Sequence, residues 1–153
     1  TTAKPQYMGG NEKREAIELL KKFGYENLAK ENWRDLLCGE KRMILILSAI
    51  MAKYRLILLD GIFDGLDPLA CKICMDALQK MISQCAESGF ILFVRDVCEI
   101  IPETTHVLIL KDGTVFHKGR KMNVITSEIM SKLFDSSVLC HYNKGLFRAE
   151  FLR

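Results

Sequence analysis

Arg55 to Ala70 reads RLILLDGIFDGLDPLA: an apolar run, Leu56–Leu59, leads straight into Asp60, and Asp67 follows just before a proline. An ionised carboxylate is costly to bury unpaired, so an aspartate at the end of such a run is a cap, an ion-pair member, or a ligand for something at the strand's edge. Leu56–Leu59 has the length and character of a strand buried on both faces, as in parallel sheets. After Pro68, the residues Ala70, Ile73, Cys74, Ala77, Leu78 and Met81 fall on one face of a helix over 68–87 that ends at Ser88-Gly89. Phe90–Val94 is a second buried strand. Strand, helix, strand makes a right-handed βαβ unit, and ligands of parallel sheets bind at the carboxyl ends of the strands, where Asp60 stands.

Upstream, MILILSAIMA (Met43–Ala52) is too short to span a bilayer and reads as a helix buried on nearly all sides, within a helix over 40–53. Ala16, Ile17, Leu19, Leu20 and Phe23 predict an amphipathic helix with Asn11 as N-cap and Gly24 as stop, while 1–10, with Pro5, Gly9 and Gly10, reads as a loop or loose end. Downstream, His106–Leu110 and Thr114–His117 flank Lys111-Asp112-Gly113, a hairpin signal. A helix over Thr126–Phe134 takes Thr126 or Ser127 as cap, and HYNKGLFRAEF closes the chain as a hairpin turning at Asn143-Lys144-Gly145.

A chain of 153 residues that is 49% hydrophobic suits one globular domain with a sizeable core. Net charge is +3, and Lys21, Lys22, Arg42, Lys111, Lys118, Arg120 and Lys121 are scattered among acids, so no nucleic-acid partner is expected. The six cysteines lie mostly in apolar segments behind no signal-peptide pattern, which favours reduced thiols; Cys71 and Cys74 form a CxxC without a second pair and read as small residues on a helix face. His106, His117 and His141 are too dispersed for a metal site, and Trp33 reads as a packing residue. The chain opens on Thr1-Thr2, without Met, as a processed product or part of a longer protein does.

DLLCGEKRMILILSAIMAKYRLILLDGIFDGLDP resembles the signature-to-D-loop segment of the ATP-binding cassette (ABC) ATPases, whose pattern is LSGGQ, an apolar helix, four apolar residues, Asp-Glu and xxxGLDP. The later strand FILFV, the segment IIPETTHVLILKDGTVFHKGR and the run ITSEIMSKLFDSSV continue the resemblance from about Asn11 to the C-terminus. It implies an α/β fold: a partial P-loop NTPase-like parallel sheet with flanking helices, a small helical subdomain at the N-terminus, and a C-terminal helix plus β-hairpin. The segments would be 11–53, helical subdomain and signature helix; 54–122, α/β core with the Walker B strand; and 123–153, C-terminal helix and hairpin.

The family sandwiches ATP between two domains, one giving a phosphate-cradling loop and the other a helix N-terminus aimed at the γ-phosphate. By resemblance the signature is Leu36, Leu37, Cys38, Gly39 and Glu40, the Walker B aspartate that holds Mg2+ is Asp60, and the D-loop is Gly65, Leu66, Asp67 and Pro68, where Asp67 helps organise the dimer interface. ATP and Mg2+ are the implied cofactors. Departures accompany the matches. The signature serine falls on Leu37, which cannot donate, and the next glycine on Cys38, whose Cβ narrows the approach to phosphate. The water-polarising glutamate falls on Gly61, and the switch histidine on Arg95, which can contact a γ-phosphate but does not exchange protons as imidazole does. No GxxxxGK[ST] string and no glutamine loop occur in these residues, so apolar surface and strand edges beside Asp60 need a cover or a rearranged sheet.

Two readings follow. In the first, the chain is the C-terminal part of an ABC-type domain, contributing signature and Walker B elements to an ATP site completed by another segment or a second ABC domain, and catalytically degenerate on its own. In the second, it is a non-catalytic regulatory or scaffold protein of ABC-derived fold that binds a partner ATPase or a membrane transporter subunit near Trp33 and the helix of residues 11–23. Both place it in the cytoplasm, peripheral to a membrane.

Overall fold

A computed structural model describes residues 10–85 and 87–152; the loop expected over 1–10 lies, but for Gly10, outside them. The chain divides into two compact units, one ending at Leu92 and the other beginning at Phe93.

In the first unit, α1 (Gly10–Phe23), α2 (Cys38–Met51) and α3 (Pro68–Ser83) pack on one another beside strands β1 (Leu56–Asp60) and β2 (Gly89–Phe93). β1 and β2 pair, and their starts are joined: Gly89 N donates to Arg55 O at 2.8 Å and Ser88 Oγ to Tyr54 O at 2.8 Å. Strands that begin side by side run the same way, which makes β1-α3-β2 the expected parallel unit.

Burial differs from the expectation in four places, one of them β2, expected as a buried strand, whose Ile91 and Phe93 are exposed. α2 buries Met43, Ile46 and Leu47 but leaves Leu45 58% exposed, because α1 and α3 cover one side of it only. β1 buries Ile57 and Leu59 while Leu56 and Leu58 are 54% and 60% exposed; in a strand successive side chains point to opposite faces, and only one face is covered. α3 turns Cys74, Met75, Leu78 and Met81 inward, leaves Ile73 outside, and ends at Ser83 rather than 87. Smaller shifts occur in α1, where Asn11 lies inside the first turn because the helix already begins at Gly10, and at Trp33, which is exposed. Gly24 (φ 82°) follows α1, as expected of a left-handed stop.

The second unit has its own core of Ile100, Val124, Ile125, Met130, Val138 and Phe147. β3 (His106–Lys111) and β4 (Thr114–Arg120) form an antiparallel hairpin with Lys111 facing Thr114. Asp112 (φ 51°) and Gly113 (φ 75°) make its turn, both in the left-handed region that a two-residue hairpin loop requires. β5 (Val138–Asn143) and β6 (Leu146–Phe151) repeat the device through Lys144 (φ 48°) and Gly145 (φ 89°). Between the hairpins lie α4 (Lys121–Val124) and α5 (Ser127–Phe134), the latter capped by Thr126, whose Oγ1 accepts from Ile129 N at 3.3 Å. Ser127 Oγ accepts from Cys140 N at 2.9 Å, fixing α5 to β5.

Candidate functional site

Asp60 ends β1 exposed, and its carboxylate makes no hydrogen bond or ion pair among the described residues. Of the three uses open to it, capping and ion pairing are therefore not realised there. Asp67 is a cap: its Oδ1 accepts from Leu69 N at 2.9 Å and Ala70 N at 3.0 Å, with Pro68 at the first helical position, where a missing N–H costs nothing.

The loop between these aspartates is tied to α2. Arg42 donates from Nη1 to Ile62 O at 2.7 Å and from Nη2 to Asp64 O at 2.5 Å, a fork that only a planar guanidinium provides. Gly61 (φ 59°) and Gly65 (φ 70°) bracket the loop in left-handed conformations. At Gly61 space is short as well: a Cβ would fall 2.8 Å from Asp64 Oδ2 and 3.3 Å from its Cγ. Asp64 N closes the turn on Gly61 O at 3.1 Å, and Leu66 N donates to Phe63 O at 3.3 Å.

At the start of α2, Leu36 is buried, whereas Leu37 is 70% exposed and Cys38 is exposed. Leu37 has no side-chain acceptor to offer the first amides of the helix; instead Glu40 folds back, its Oε2 accepting from Leu37 N at 2.8 Å. A carboxylate held at the positive end of the helix dipole favours the helix and opposes a second anion there. Gly39 faces the other loop, since a Cβ on it would lie 4.0 Å from Leu66 Cδ2. The fold thus gathers the expected residues 36–40 and 60–68 into one corner of the first unit.

Buried Cys74 and half-buried Tyr25 lie near this corner. Burial pushes the Cys74 thiol up from 9.0 to about 11 against a smaller opposing effect of Arg42. Burial also raises the Tyr25 phenol, followed by charge effects from Cys74 and Glu40. All six cysteines are free thiols, and no group of three or more His, Cys, Asp or Glu able to hold a metal occurs among the described residues. In the second unit, Arg95 is exposed and its N–H donates to Glu99 Oε2 at 3.1 Å, at the head of a 3-10 turn (Val97–Glu99) capped by Asp96.

No family model matches the chain. Relatives do. It is 30% identical over 128 residues to the ABC transporter ATP-binding protein YmeB of Lactococcus lactis, covering 83% of this chain and 49% of that protein. It is 31% identical over 138 residues to the ABC transporter ATP-binding protein YlmA of Bacillus subtilis, covering 88% and 52%. Among solved structures, a metal-chelate type ABC transporter in an inward-facing conformation superposes with a TM-score of 0.77 at 25% identity over 99% of this chain and 59% of that one. The chain matches the C-terminal half of an ABC ATPase domain. It spans about half the length of the curated relatives it matches. An ATP-binding cassette in its ADP conformation shares the fold, with a TM-score of 0.68 at 18% identity.

ATP and Mg2+ belong to the ABC family's chemistry. The donor set here suits Mg2+ in one respect: Asp60 offers an unengaged hard oxygen ligand, and Mg2+ keeps several waters and takes phosphate oxygens beside one or two carboxylates. Arg42 and Asp64 were missed by sequence reasoning. The only signals for them were a basic pair, Lys41-Arg42, at the head of an apolar helix and a carboxylate three residues after a glycine.

Proposed function

We propose that this chain supplies the signature helix, Walker B aspartate and D-loop of an ATP site whose phosphate loop comes from another segment or chain, and that alone it does not hydrolyse ATP. The observation that carries this reading is the Arg42 fork, which joins the α2 N-terminus to the loop leaving Asp60 while the Asp60 carboxylate remains unengaged. The exposed Leu56 and Leu58 support it too, because an uncovered apolar strand face invites a neighbour. In this reading the cover is the N-terminal half of the cassette, a second ABC domain faces the signature, and a membrane transporter subunit holds the pair at the cytoplasmic side of a membrane. Leu37, Cys38 and the inward-folded Glu40 weaken the anion site at the start of α2, and Arg95 contributes charge where imidazole would exchange a proton.

Calorimetry with Mg-ATP tests the proposal, on the chain alone and mixed with the N-terminal half of an ABC ATP-binding domain. The expected outcome is no binding by the folded chain alone and binding by the mixture, weakened about tenfold by Asp60→Asn as a metal contact is lost. A mixture that associates without ever binding ATP supports a scaffold instead.

A further inference from the structure

We propose that Asp64 supplies the reactive carboxylate of this ATP site, standing in for the side chain that Gly61 lacks. The inference rests on the reading above. Gly61 and Asp64 are fitted to each other: a first side-chain carbon on residue 61 would come within 2.8 Å of Asp64 Oδ2 and 3.3 Å of its Cγ, so the absence of one group makes room for the other. The turn bond from Asp64 N to Gly61 O, at 3.1 Å, keeps the two together.

Arg42 makes the arrangement more than a surface accident. Its bonds to Ile62 O and Asp64 O hold the turn from the signature helix, so the carboxylate is placed by a helix rather than left to a loop. Arg42 is on this view a positioning residue, and Asp64 the catalytic one. Asp64 also lies in the loop that leaves Asp60, the residue that would carry the metal, four positions further along the chain.

The step balances with ATP and water alone. A water oxygen attacks the γ-phosphorus, the bond from that phosphorus to the β–γ bridging oxygen breaks, and ADP leaves with the electron pair. The water's proton passes to the Asp64 carboxylate and from there to the released phosphate or to solvent, so ATP and water become ADP, phosphate and a proton.

The test measures ATP affinity and phosphate release in parallel, using the chain assembled with the N-terminal half of an ABC domain, for the unsubstituted protein and for Asp64→Asn, Asp64→Ser and Arg42→Met. Asp64→Asn is expected to keep ATP affinity, to slow phosphate release at saturating ATP by roughly 100-fold, and to lose the acid limb of the pH profile. Arg42→Met is expected to slow release while keeping that limb. Bound ATP with no release by the unsubstituted assembly, or with equal release and an equal limb in Asp64→Asn, overturns the role of Asp64 alone. No ATP binding by any assembly overturns the proposed function and this inference with it. If Asp64→Asn and Asp64→Ser both lose their circular dichroism, Asp64 is structural and the proposal fails.

Discussion

Asp60 and Asp67 are aspartates at the two ends of one loop with different employments, and the difference lies in what their neighbours offer. Asp67 precedes a proline and faces free amides at the start of α3, so it caps; Asp67→Ala is expected to cost about 1 kcal/mol, read as a lower urea midpoint with an unchanged slope. Asp60 faces no such donors. Its position was legible because a carboxylate at the end of an apolar run is a local pattern. Asp64 and Arg42 were not, since their bond joins positions far apart in sequence and exists only once α2 lies against the loop. Cys74 illustrates burial at the same scale. Its thiol ionises near 11 when folded and near 9.0 when free, so the folded state binds the proton more tightly. Stability is therefore full below pH 9 and falls as pH rises towards about 11, by about 3 kcal/mol in all. Denaturation across that range, compared with Cys74→Ala, should show a flatter profile for the variant.

Element types and their turns were largely legible, whereas burial was not. Lys111-Asp112-Gly113 announced a hairpin because its turn needs left-handed φ angles, a demand written in residue type. The apolar runs of α2 and β1 announced only what could be buried. Which faces are buried depends on what lies alongside, and α1 and α3 cover one side of α2. Leu47 and Leu45 separate the two cases: Leu47→Ala should cost about 2–5 kcal/mol, and Leu45→Gln should stay within about 0.5 kcal/mol, by chemical denaturation.

At the scale of the molecule, each unit has its own buried residues, and the strand of the first that carries Asp60 is open on one side. The resemblance foresaw uncovered apolar surface beside Asp60, since family knowledge says what normally lies there; no periodicity in the chain itself says so. The isolated chain should bind an apolar dye such as ANS in its folded state, and Leu58→Lys should reduce that signal without lowering the melting temperature, whereas Leu59→Ala should lower it. The open strand also bears on the life of the polypeptide in a cell. Chaperones and proteases read leucines exposed on an uncovered sheet face as a mark of an orphan, so a copy of this chain whose Leu56 and Leu58 stay open to water is a copy marked for disposal.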